Sequence, residues 1–162
     1  MVQAEFTPKT ASQVEADIAE PHVGSLIRRA QQLHLATWAR IVSTEITSAQ
    51  YSILAALDRL GDCSQRELCD EVDLDRSTMT ALVSRMEKSA LISRARSNGD
   101  ARRNVVTLTD RGQAERLRLA PLVVQVQHEL TASLDPDDVT ALLRSLQHML
   151  NHTTAPPRQK HA

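Results

Sequence analysis

Residues 96–104 read RSNGDARRN, three arginines around an Asn-Gly-Asp centre, in a chain whose formal net charge is only −1. Guanidinium groups present planar donors suited to phosphate and to narrow negative grooves, so such a cluster can hold a polyanion. A solvated loop tip carries arginines for a blander reason, so the surroundings decide between the two. Between residues 76 and 103 there are seven basic side chains (Arg76, Arg85, Lys88, Arg94, Arg96, Arg102, Arg103) and two acidic ones (Glu87, Asp100). That segment carries +5, which leaves −6 for the remainder of the chain. Charge segregated this way is the signature of a localised phosphate-binding face.

The same segment contains a helix, expected over 76–89 with Asp75 as its N-cap. Met79, Leu82, Val83 and Met86 form its apolar face, and Ser77, Thr80, Ala81, Ser84 and Lys88 fall opposite. A face of small, hydrogen-bonding or basic residues lets a helix lie deep in a major groove, where bulkier side chains would hold it off the bases. Ser and Thr can bond bases or phosphates, Ala81 can meet a thymine methyl, and Arg76 and Arg85 flank the face. Thr78 in the first turn and Ser64 at the start of the preceding short helix complete the candidate set. An amphipathic helix in plain solvent carries similar residue types, and the charge segregation is what separates the readings.

Helical segments with clear punctuation surround this helix. Val23, Leu26, Ile27, Ala30, Leu33, Thr37 and Ile41 lie at helical spacing, with His34 and Trp38 on the same stripe. Thr47 and Gln50 have capping-box spacing, as do Ser64 and Glu67, and Gly61 stands where the intervening helix should stop. The Ser64 helix runs to about Val72. After the 76–89 helix the period changes. Ile92, Arg94 and Arg96 alternate with Ser93, Ala95 and Ser97, and NVVTLT follows the Asn-Gly pair, which predicts two antiparallel strands around a turn. A long helix should run from near Thr109 to about Ser133 with a bend at Pro121. The last should start at Asp135-Pro136, with Asp137 and Asp138 favouring its positive end, and Val139, Leu142, Leu143, Leu146 and Leu150 as its stripe.

The fold expected is therefore mainly α, in the order α-α-α-α-β-β-α-α. A short helix, tight turn and second helix followed by a β-ribbon make a winged helix-turn-helix. Residues 1–20 and 152–162 read as tails. Residues 21–46 and 109–151 form a helical region, and 47–108 the winged lobe.

Composition sets the outer limits. A chain of 162 residues with 41% hydrophobic and 24% charged residues suits one globular domain. Phe6, Trp38 and Tyr51 are its only aromatic residues. No run of 18 apolar residues occurs, so no membrane span is expected, and without a signal-peptide pattern the expected location is cytoplasmic. Cys63 and Cys69 have neither disulfide-framework nor zinc spacing and read as small buried residues, with a redox-sensing thiol as the alternative. His128, His148 and His152 could approach one another on the last helices, but lone helical histidines are usually surface residues, and no metal or cofactor is expected. No glycine-rich phosphate loop, His-Glu-x-x-His pattern or nucleophile elbow is present, which argues against an enzyme. A winged-helix interaction module without DNA binding is the remaining rival, and it would not need the basic bias.

The stretches ITSAQYSILAAL, SQRELCDEVDLDRSTMTALVSRMEKSALISR and GDARRNVVTLTDRG resemble the MarR family of bacterial transcriptional regulators, over roughly residues 22–151. The most specific parts are the Asp-x-Arg of Asp100 and Arg102 and the LTDRG that follows. The resemblance implies a homodimer on a pseudo-palindromic duplex operator, with the first and last two helices forming the dimerisation region. It implies that the 76–89 helix enters the major groove. Arg102 would enter a minor groove, steadied by Asp100, with Arg96 and Arg103 as phosphate contacts. VGSLIRRAQQLH is similar to a narrower group that responds to aromatic acids or their coenzyme A thioesters. That similarity implies a repressor released by a small aromatic or anionic ligand, with His34, Trp38 and Tyr51 lining its pocket and Arg28 or Arg40 meeting a carboxylate. Trp38 on an apolar stripe also reads as plain core, and His34 as a hydrogen-bonded residue near a dimer seam.

Overall fold

A computed structural model describes residues 22–96 and 104–153, apart from the side chains of Arg96, Asn104, His152 and Thr153. The expected tail 1–20 lies outside the described residues, as do residues 154–162 of the second, whose first two residues instead close the last helix. Helix α1 (Val23–Ile41) is capped by His22, whose Nδ1 accepts from the Ser25 amide at 3.2 Å. Helix α2 (Ser48–Leu60) starts at the Thr47/Gln50 capping box and stops at Gly61, whose φ of 72° favours glycine. The strand β1 (Cys63–Ser64) leads directly into α3 (Gln65–Val72), opened by the reciprocal Ser64/Glu67 box. Asp73, in the left-handed region at φ 51°, ends α3 and leads into α4 (Arg76–Lys88). Strands β2 (Ile92–Arg96) and β3 (Asn104–Leu108) follow, then α5 (Asp110–Thr131), which continues through Pro121, and α6 (Pro136–Thr153).

The expected order holds, with one correction. The sheet has three strands rather than two, in the order β1-β3-β2, all antiparallel. Cys63 pairs with Val106 and Ser64 with Val105 on the free edge of β3. Two residues are too short to show a period-2 pattern, and the pairing is made by main chain, so side-chain alternation carried no signal for it. The β2–β3 ladder runs from Ile92↔Leu108 to Arg96↔Asn104.

The core sits under α4. Met79, Leu82, Val83 and Met86 from α4 pack with Ile53, Leu54 and Leu57 of α2, Leu68 of α3 and Val106 of β3. Leu119 of α5 joins the same cluster, so the long helix is anchored to the lobe beneath α4. Arg116 of α5 adds an ion pair to Asp58 of α2 at 3.1 Å. The outer helices behave differently. Within α1 only Thr37 and Trp38 are buried, and none of the described side chains of α6 is buried.

A close junction ties the end of α4 to the start of α5. Thr109 caps α5, accepting from the Gly112 amide at 3.0 Å, while its own hydroxyl donates to the Ala90 carbonyl at 2.7 Å. A Cβ on Gly112 would lie 2.0 Å from the Leu91 carbonyl oxygen, so only glycine allows the helix this approach.

Candidate functional site

Helix α4 turns its apolar face wholly inward and leaves its small residues outside. Ser77, Thr78, Thr80 and Ala81 are exposed, as are Arg76, Arg85 and Lys88, and Ser84 is half-buried. The N-cap explains the geometry of the first turn. Asp75 Oδ1 accepts from the amides of Ser77 and Thr78, each at 2.9 Å, and the hydroxyls of both residues also donate to its carboxylate. These four bonds hold the Asp75 carboxyl well below the usual carboxylate range, the Ser77 and Thr78 hydroxyls foremost. Their hydroxyl hydrogens are thus spent on the cap, and each oxygen remains only as an acceptor.

Thr80 is also engaged. Its hydroxyl donates to the Arg76 carbonyl at 2.8 Å and accepts from Gln65 Nε2 of α3 at 2.7 Å. Ser64 accepts from the Glu67 amide at 3.3 Å as the cap of α3. Arg85 Nε turns back to the Ala81 carbonyl at 3.4 Å. A cleft of about 240 Å³ between α3 and α4 is lined by Gln65, Arg66, Cys69, Arg76 and Thr80, and places two arginines on the same exposed surface. Gln65 and Arg66 carried no separate signal in the sequence, because the first turn of α3 read only as a capping box.

Arg94 of β2 pairs with Glu87 of α4, Nε to Oε2 at 2.8 Å and a second bond through Nη2. The guanidinium holds the Glu87 carboxyl below its ordinary value, and Glu87 in turn raises Arg94. The pair removes one positive and one negative charge from the surface and leaves the segment's net charge unchanged. Asp100, Arg102 and Arg103 lie outside the described residues, as does the side chain of Arg96. What is described is their support: Arg96 and Asn104 form the last pair of the ladder, and the chain 97–103 joins them.

The residues expected around a small ligand come together only in part. The rings of His34 and Trp38 meet edge to face at 6.2 Å, and Trp38 and Tyr51 lie 5.9 Å apart. Trp38 is buried, and its Nε1 donates to the Ile46 carbonyl at 2.8 Å, so the indole N–H is already used. Arg40 turns to Glu129 of α5 in an exposed ion pair. Arg28 is exposed on α1 and takes no part in the ring contacts. His34 also lines an open apolar groove of about 490 Å³, whose walls include Leu26, Ile27 and Leu33 of α1 and Leu142, Leu143 and Leu146 of α6.

Cys63 is buried and Cys69 half-buried, and no disulfide joins them. Burial foremost, then Asp70, pushes the Cys69 thiol up, which disfavours the reactive thiolate. Among the described residues no three metal-ligating side chains converge, and no helix is long and apolar enough to cross a membrane.

A family model described as the MarR family matches residues 44–103, the stretch from the end of the α1–α2 connection through the chain that joins β2 to β3. The chain is 31% identical over 136 residues to the HTH-type transcriptional repressor NicR of Pseudomonas putida, spanning 83% of this chain and 85% of that one. A structure of the PcaV transcriptional regulator from Streptomyces coelicolor in complex with its natural ligand matches with a TM-score of 0.78 at 34% identity, over 80% of this chain and 92% of PcaV. Bordetella bronchiseptica BpsR, whose DNA binding is regulated by 6-hydroxynicotinic acid, matches with a TM-score of 0.72 at 29% identity, over 78% and 97%.

Proposed function

The chain belongs to the MarR family, and from that membership we propose that it is a homodimeric repressor of transcription, released from its operator by a small aromatic acid. The observation that carries the DNA-binding part is the outer face of α4. A helix buried on Met79, Leu82, Val83 and Met86 presents Ser77, Thr80, Ala81 and Ser84 outward with cations on either side. That is a shape for a major groove. In this reading Arg76, Arg85 and Lys88 hold phosphates, Ser64 takes a backbone contact, Thr78 meets the sugar edge through its methyl because its hydroxyl hydrogen is held by Asp75, and the 97–103 segment is a wing. Arg102 enters a minor groove there, Asp100 steadies it, and Arg96 and Arg103 reach phosphates.

Dimerisation is supported by the apolar faces of the outer helices. Val23, Leu26, Ile27 and Leu33 of α1 and Leu142, Leu143, Leu146 and Leu150 of α6 are all exposed in one copy. A second copy that covers them would make residues 21–46 and 109–151 the dimerisation region and leave 47–108 as the DNA-binding lobe. Two such lobes place their α4 helices about one DNA turn apart, roughly 34 Å.

The effector would sit where α1 meets the lobe, against His34, Trp38 and Tyr51, with Arg28 as the available cation and Arg40 recruited only if it leaves Glu129. PcaV was crystallised with its natural ligand, and BpsR answers to 6-hydroxynicotinic acid, which supports an aromatic acid here. Release requires that the ligand bind one lobe spacing more tightly than the other. No catalytic role and a cytoplasmic location belong to the same reading. Against the cysteine-based redox alternative, Cys63 is buried and burial pushes the half-buried Cys69 thiol up.

The test is a duplex selected by the full chain from a randomised library, followed by titration with aromatic acids and their coenzyme A thioesters. Salt-dependent binding to the selected duplex, relieved by one of these compounds together with a rise in Tm, supports the proposal. Tight, salt-dependent binding that no compound relieves removes the aromatic-acid part. Failure to select any duplex removes DNA binding.

A further inference from the structure

We propose that Gln65 is a positioning residue for base readout, and that it makes Thr80 read thymine through its methyl group. The inference rests on the DNA-binding reading above and adds Gln65 of α3 to the residues of the α4 outer face.

The hydrogen-bond count on Thr80 carries the argument. A threonine hydroxyl has one hydrogen and two acceptor positions. The hydrogen goes to the Arg76 carbonyl at 2.8 Å, and one acceptor position is filled by Gln65 Nε2 at 2.7 Å. Because the Thr80 hydrogen is spent, its partner on Gln65 has to be the donor end of the amide, and that fixes which way the amide is turned. The bond joins α3 to α4 across the cleft that Arg66 and Arg76 also line. Thr80 itself is exposed on the outer face of α4.

A hydroxyl without a hydrogen to give cannot donate to the major-groove acceptors: N7 and O6 of guanine, N7 of adenine, or O4 of thymine. Its second acceptor position can still take a hydrogen from adenine N6 or cytosine N4, but toward a thymine the group that Thr80 offers is its methyl. In the major groove the complementary apolar feature is the thymine C5-methyl. Gln65 therefore acts through Thr80. It holds the hydroxyl in the back-bonded position, so that the helix enters the groove with a carbon face at this residue.

The test uses the full chain and a duplex it selects from a randomised library, with each thymine of a half-site replaced in turn by deoxyuridine, which lacks only the methyl. One position per half-site should weaken binding about fourfold, the value of burying a single methyl group. Thr80→Val keeps the methyl and should keep that thymine preference. Thr80→Ser keeps the hydroxyl and should lose it. Gln65→Met, which has similar length and no donor, should reduce the preference while leaving the salt dependence unchanged. The inference is overturned if no thymine position matters, or if Thr80→Ser discriminates like the parent. It is equally overturned if Gln65→Met weakens all duplexes alike with a shallower salt slope, since Gln65 would then be a phosphate contact. If no duplex is selected at all, DNA binding itself fails, and that result is distinct from each of these.

Discussion

The indole Nε1 of Trp38 donates to the main-chain carbonyl of Ile46 at 2.8 Å, both residues being buried. This bond pins the α1–α2 connection to α1 and holds the Trp38 ring between His34 and Tyr51. Trp38→Phe keeps an aromatic ring, though a smaller one, and removes the donor, leaving a buried carbonyl without its partner and some packing volume unfilled. The expected cost is about 1–3 kcal/mol, measured by urea denaturation. A loss near zero would mean that the connection relaxes to water.

Asp75 is the next point of leverage. A carboxyl held below its unfolded value adds stability that is fully present above that value and is lost as pH falls through the folded one. The cap on α4 should thus persist at neutral pH and weaken only below about pH 4, the ordinary range for Asp. Asp75→Ala should lower Tm at pH 7 and flatten the acid limb of a Tm-against-pH curve. An acid limb identical to the parent's would show that other carboxylates dominate it.

Gly112→Ala tests the junction between α4 and α5. The added Cβ would overlap the Leu91 carbonyl oxygen, and main chain on both sides cannot yield as a side chain end can. The loss should lie at the upper end of the about 1–3 kcal/mol typical of overpacking. A Tm equal to the parent's would show that α5 can slide without cost.

Much of this was legible in the sequence, and the reasons differ by residue. The caps at Thr47, Ser64, Asp75, Thr109 and Asp135 are local, so residue type and spacing announce them. The α4 faces follow from helical periodicity alone. The strand β1 was hidden because it is two residues of main-chain pairing. Ala90, at φ 54°, gave no signal because alanine is not a residue that favours the left-handed region. The Gln65–Thr80 bond joins two helices fifteen residues apart, and no periodicity encodes a contact that depends on how α3 crosses α4. Residue type alone does not say where an arginine's charge is spent. Arg40 read as a cation for a ligand and Arg94 as part of the basic segment, yet they are taken up by Glu129 and Glu87.

The apolar faces of α1 and α6 give a prediction about assembly. Leu143 and Leu146 are exposed and line the groove shared with α1. Leu143→Glu, or Leu26→Glu on the facing helix, should convert a dimer to a monomer in sedimentation velocity and weaken operator binding. If both variants sediment as the parent does, these faces are not the dimer seam.

The most direct test of the central claim is Ala81→Glu. Ala81 is exposed in the middle of the α4 outer face and is not part of the core cluster, so the change should leave Tm nearly unaltered. Fluorescence anisotropy against the selected duplex should show affinity reduced by a hundredfold or more, since a bulkier, negative side chain would meet base edges and phosphates at the point of closest approach. A variant that folds normally and binds the duplex as tightly as the parent would contradict the assignment of α4 to the major groove.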